Sequence, residues 1–138
     1  MLRALYAVTA AVSLTTAAWM WIDPASWYAR FPAGIPNTGP FNGHLIRDVG
    51  LAYGLAGAGA AWCAKHVARS YAVHVSMAAF FVGHAGIHVA DLAGGRLPPA
   101  HWGIDLPGVF VPAVVLGVTA VPAVWRRLSP GRHPLPAS

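Results

Sequence analysis

Hydrophobic positions along this chain gather into long runs instead of alternating with polar ones. Four runs stand out, at residues 4–22, 41–64, 70–92 and 106–125. Each is about 19–24 residues long, the length that crosses roughly 30 Å of hydrocarbon. The connecting segments "DPASWYARFPAGIPNTGP", "KHVAR" and "AGGRLPPAHWGID" carry most of the polar, proline and aromatic punctuation. The pattern predicts an all-α protein, a four-helix transmembrane bundle of up-down topology in a single domain, residues 1–127. A proline-rich tail, 128–138, reads as flexible and cytoplasmic. The first run, with Arg3 before it and small residues behind it, imitates a signal peptide but is read as a retained helix.

Charge sets the expected orientation. With both termini inside (N-in, C-in), the cytoplasmic side holds Arg3, Lys65, Arg69, Arg126, Arg127 and Arg132, and the outer side only Arg30, Arg47 and Arg96, as the positive-inside rule asks. Tryptophan and tyrosine fall near both boundaries. Composition agrees: 57% of residues are hydrophobic and 9% charged, too few charges to cover a chain of this size in water. Lipid is therefore the expected solvent, and a bacterial inner membrane the expected location, given the wealth of Ala, Gly, Arg and Pro. The basic residues form no stripe, which excludes a nucleic-acid footprint. Cys63, the single cysteine, excludes an internal disulfide and thiolate metal motifs, and reads as a small core residue. Gly50, Gly54 and Gly57 share a narrow arc of the second run and predict close helix packing. Pro112 and Pro122 mark places where the fourth run can kink.

In the predicted topology every acid, Asp23, Asp48, Asp91 and Asp105, lies in the outer half, with His44, His84, His88 and His101. His44 and Asp48 are four apart on the second helix. His84, His88 and Asp91 fall within an arc of roughly 60° on the third, at about 100° per residue, with His74 near the edge of the same stripe. Antiparallel packing of these two helices brings both groups to one membrane level. Buried ionisable groups in lipid need compensation, and a bound cation supplies it. The expectation is a transition-metal site (copper, iron or zinc) with His44, His84 and His88 as ligands. Asp48 and Asp91 then serve as further ligands, orienting carboxylates or catalytic groups, and redox or oxygen-dependent chemistry on an apolar substrate follows if an oxidant reaches the metal. His101 and Asp105, in the second outer loop, can reach this cluster but are expected to be solvated. The first outer loop is expected to fold over the end of the bundle with Trp27, Tyr28 and Phe31 toward the headgroups.

Other readings use the same residues. His44 with His84 or His88 can bracket a b-type haem. An Asp–His pair in an apolar site suits acid–base catalysis on a lipid-like substrate. A closed hydrogen-bond network would fit a non-catalytic subunit of a homo-oligomer or larger membrane complex. The layout resembles the DoxX-like group of small four-helix bacterial membrane proteins, through the four spans, the proline- and aromatic-containing first outer loop and the stretch "HLIRDVGLAYGLAG". That resemblance implies a membrane bundle, some members being redox-associated subunits, and assigns no residue a role.

Overall fold

The structure, a computed structural model, describes residues 1–129; they form seven α-helices, two short 3-10 turns and a π turn, with no strand among the described residues. Helix α1 (Leu2–Ile22) stops at Asp23, whose carboxylate accepts the Ser26 amide at 2.9 Å and so starts α2 (Pro24–Arg30). Pro24 sits where a helix has no need of its missing N–H. Gly34, at φ 61°, turns the chain into the 3-10 turn Ile35–Thr38. The Asn42 side chain then accepts the His44 and Leu45 amides, both at 3.1 Å, to open α3 (Gly43–Lys65). A tight 3-10 turn, Val67–Arg69, leads into α4 (Tyr71–Ala93). Beyond it come the short α5 (His101–Ile104), the π turn Leu106–Phe110, α6 (Val111–Ala120) and α7 (Pro122–Leu128).

The fourth hydrophobic run is not the unbroken helix that residues 106–125 predict. It opens as a π turn and then bends by 87° between residues 120 and 122. Pro122 causes the bend. Its ring disfavours helical geometry in the preceding residue, and Val121 is extended at φ −60°, ψ 124°. Two helices, α1 and α4, are long and apolar enough to cross a membrane unaided, and residues 106–128 make a third if the bent pair is one span. Helix α3 is 23 residues long but is not among them: Arg47, Asp48 and its glycines dilute its apolar character. The tail expected over 128–138 lies, after Ser129, outside the described residues.

Each long helix packs antiparallel on its predecessor. A Cβ built on Gly50 would meet Met20 and Trp21 of α1 at 3.0 Å, one on Gly54 would meet Ala17 at 3.7 Å, and one on Gly57 would meet Leu14 at 2.8 Å. The α3 numbers rise as those of α1 fall, so the helices run in opposite directions with backbones in close approach. Gly59 touches Val73 and Met77 of α4 while Tyr53 reaches Phe80 and Phe81. Gly117 of α6 meets Val82, and Tyr71 donates to the Ala120 carbonyl at 3.0 Å.

Many large apolar side chains face outward, and several polar ones are enclosed beside the hydrophobic core. Val8, Val12, Leu51, Leu55, Trp62, Val82, Ile87, Val114 and Val118 are exposed, whereas Ser13, Thr16, Ser70, His74, His101, Asp105 and Thr119 are buried. His74 shows how a buried polar side chain is kept satisfied. Tyr6 donates to its Nδ1 at 3.1 Å, its Nε2 donates to Thr119 Oγ1 at 3.1 Å, and the Thr119 hydroxyl donates onward to the Val115 carbonyl at 2.7 Å. One imidazole thus fastens α1, α4 and α6. It belongs to this fastening and has no hydrogen bond to another histidine among the described residues.

Candidate functional site

The antiparallel order collects the end of α1, the start of α3, the end of α4 and the start of the last segment at one end of the bundle. All four aspartates lie at this site end. The opposite, turn end carries Val67–Arg69.

Asp105 is the centre of the site end. It sits between α5 and the π turn, where its carbonyl accepts the amides of Val109 at 2.8 Å and Phe110 at 3.2 Å. Pro107, lacking an N–H, falls inside this wide turn, a kind of helix irregularity frequent where side chains are placed for function. The Asp105 side chain is 0% exposed. An ionised carboxylate there accepts hydrogen bonds and donates none, and it finds two imidazoles. His88 Nδ1 donates to Oδ2 at 2.8 Å, and His101 Nδ1 stands 3.3 Å from both oxygens. His101 lies one helical turn before Asp105 and is fully buried. The Asn37 side-chain amide donates to its other nitrogen, Nε2, at 3.1 Å, which leaves the His101 proton on Nδ1.

The residues between α1 and α3 form a cover over this arrangement. A Cβ on Gly34 would lie 3.2 Å from His101 Cε1 and Nε2 and 3.1 Å from Asn37 Nδ2. Only a glycine backbone, already left-handed, passes this close. Trp27 and Phe31 pack inward, 5.4 Å apart by ring centroid, against a cluster with Met20 and Ile46. Tyr28 bonds the Gly39 carbonyl at 2.7 Å. These aromatics hold the cover on the bundle and do not reach out toward headgroups as their sequence suggests.

On α4 the His84 ring centroid lies 4.8 Å from that of His88, and Tyr53 of α3 approaches His84 Nε2 at 3.5 Å. The result is a chain of polar groups, Tyr53, His84, His88, Asp105, His101 and Asn37, drawn from α3, α4, the last segment and the cover. His88 Nε2 is the one ring nitrogen of His88 and His101 without a hydrogen-bond partner among the described residues, and the His88 side chain is 15% exposed.

Of the residues expected to converge, the structure joins His84 and His88 and disperses the rest. His44 pairs with Asp48 at 3.4 Å, their side chains 90% and 62% exposed. Both lie in register with Leu51, Leu55 and Trp62 on the outward face of α3, opposite its glycine face. His44 therefore does not confront His84 or His88 as a haem bracket requires. Asp91 accepts Arg96 Nε at 2.6 Å, and its carbonyl accepts the amides of Arg96 and Leu97 at 2.8 and 3.3 Å. It closes the end of α4, where Gly95 turns left-handed at φ 68°. Among the described residues no three of His, Cys, Asp and Glu assemble as a metal-holding group.

Conversely, His101 and Asp105 are not solvated but are among the most deeply buried side chains. Their i, i+4 spacing was the available signal. Asn37 and Tyr53, on other elements, left none. Comparison with family models, curated proteins and solved structures finds no match.

Proposed function

We propose that the chain is an integral membrane protein, an up-down bundle with both termini cytoplasmic, whose His88–Asp105–His101 group performs acid–base chemistry on an apolar, membrane-soluble substrate at the outer end. The observation that carries this reading is the enclosed Asp105 carboxylate between two imidazole Nδ1 atoms at 2.8 and 3.3 Å. With both imidazoles neutral the group keeps one negative charge, which is costly away from water. One additional proton neutralises it, and His88 Nε2 is where a proton can be held and exchanged. His88 is then the residue that gives or takes the proton, while Asp105 and His101 position it and balance its charge. The exposed Ile87, Trp102 and Leu106 beside it supply an apolar approach from the bilayer. The two or three helices able to cross a membrane support the placement, as does the gathering of basic residues at the turn end, which belongs on the cytoplasmic side.

The test is imidazole nitrogen NMR on the full chain, histidine-labelled and held in detergent micelles. We expect one imidazole, absent in His88→Gln, to show an Nδ1 proton moved downfield by its hydrogen bond to the carboxylate and an Nε2 open to proton exchange, and Asp105→Asn to abolish the downfield signal. A His88 Nδ1 signal that is the same with and without the Asp105 carboxylate would falsify the reading.

A second reading, a transition metal on His88 with His84 beside it, is favoured by the same open Nε2, since a carboxylate on Nδ1 is how metal-bound imidazoles are commonly oriented. Elemental analysis of the same samples separates the two. Near-stoichiometric metal, lost in His84→Ala/His88→Ala, puts a metal where the first reading has a proton.

A further inference from the structure

The turn end carries a second feature, independent of the acid–base group. Arg3 of α1, Lys65 and His66 at the end of α3, and Arg69 of the 3-10 turn line one pocket of about 310 Å³. Arg3, Lys65 and Arg69 have no ion-pair partner among the described residues. Every aspartate is at the opposite end, so no acidic side chain among the described residues offsets them there.

We infer that this end binds an anionic phospholipid, its phosphate in the Arg3–Lys65–Arg69 pocket. Charge complementarity selects the headgroup. A pocket holding three unpaired cations repels a zwitterionic lipid's ammonium group while it attracts a phosphate with no compensating cation, and basic pockets at the cytoplasmic face are suited to such headgroups. On the proposed membrane reading, which the long apolar helices support, a lipid is selected over a free anion, because an anionic headgroup stands at the level of this end. Arginine contributes planar, forked donors to the phosphate and Lys65 a point charge.

The full chain, purified in mild detergent, is titrated with phosphatidylglycerol, phosphatidylcholine or inorganic phosphate. Bound lipid is counted by native mass spectrometry and thermal stability is followed alongside. We expect a phosphatidylglycerol adduct that raises Tm, no such effect from phosphatidylcholine, and none from inorganic phosphate. Each exposed basic side chain removed weakens the adduct about fivefold. In Arg3→Gln/Lys65→Gln/Arg69→Gln the adduct is lost while Tm without added lipid is unchanged. Equal stabilisation by both lipids, retention in the triple variant, or full mimicry by inorganic phosphate overturns the assignment.

Discussion

A carboxylate enclosed in protein keeps its charge only where hydrogen bonds and a counter-charge replace water, and Asp105 draws its replacements from three directions. His101 comes from its own helical turn, His88 from α4, and Asn37, through His101, from the cover. Sequence alone placed His84 and His88 on one helical face, and that much was legible because both lie in α4 at a fixed spacing. It set Asp105 in solvent because a loop composition of Gly, Pro and Arg surrounds it. Nothing local records that residues 34–37 fold over it. Gly34 is the residue on which that contact turns. Gly34→Ala adds a methyl 3.2 Å from the His101 ring and forces φ 61° on a residue that avoids it. We expect a loss of about 1–3 kcal/mol, read as a lower Tm in detergent, together with faster amide exchange across residues 34–38. An unchanged exchange rate there would mean that the cover does not depend on this glycine.

On α3 the faces divide by size: small residues meet a neighbouring helix and several large apolar ones face outward. On α3, Gly50, Gly54 and Gly57 meet α1, and this packing was readable from their spacing. His44 and Asp48 share the phase of Leu51, Leu55 and Trp62, so the same spacing also held the information that they point outward. Placing them with α4 by membrane level alone, without regard to the face they share with these apolar residues, hid it. The glycines offer a paired measurement. Gly57→Ala puts a methyl 2.8 Å from Leu14 and should cost about 1–3 kcal/mol, whereas Gly83 has nothing within 4 Å. Gly83→Ala should be neutral or slightly stabilising in the same thermal assay, since alanine favours the helix by about 1 kcal/mol. Equal effects at the two sites would contradict the close approach of α1 and α3. The bend before α7 was legible in Pro122, but its 87° size was not, because proline marks where a helix breaks and packing decides how far it turns.

For the molecule as a whole, the antiparallel order of helices puts residues 94–100 at the end opposite residues 66–70, and the proposed orientation makes these the outer and cytoplasmic faces. Single cysteines at Pro99→Cys and Ala68→Cys, in a Cys63→Ala background, test it in sealed vesicles of known sidedness. A membrane-impermeant maleimide should label the two from opposite sides; labelling of both from one side removes the up-down arrangement across the bilayer. All-helical architecture was legible because long apolar runs admit little else in lipid. The number of spans was less so, since α3 is built more for contact with α1 than for lipid. The chain order in which the site's residues occur also bears on biogenesis. Asn37 is synthesised before α3, His88 at the end of α4, and His101 with Asp105 only as the last segment emerges. A chain halted after α4 carries His88 but neither Asp105 nor His101. On the proposed reading, acid–base competence therefore arrives late, when the final segment docks, and an incompletely inserted protein would have no assembled proton-exchanging group to expose to the membrane.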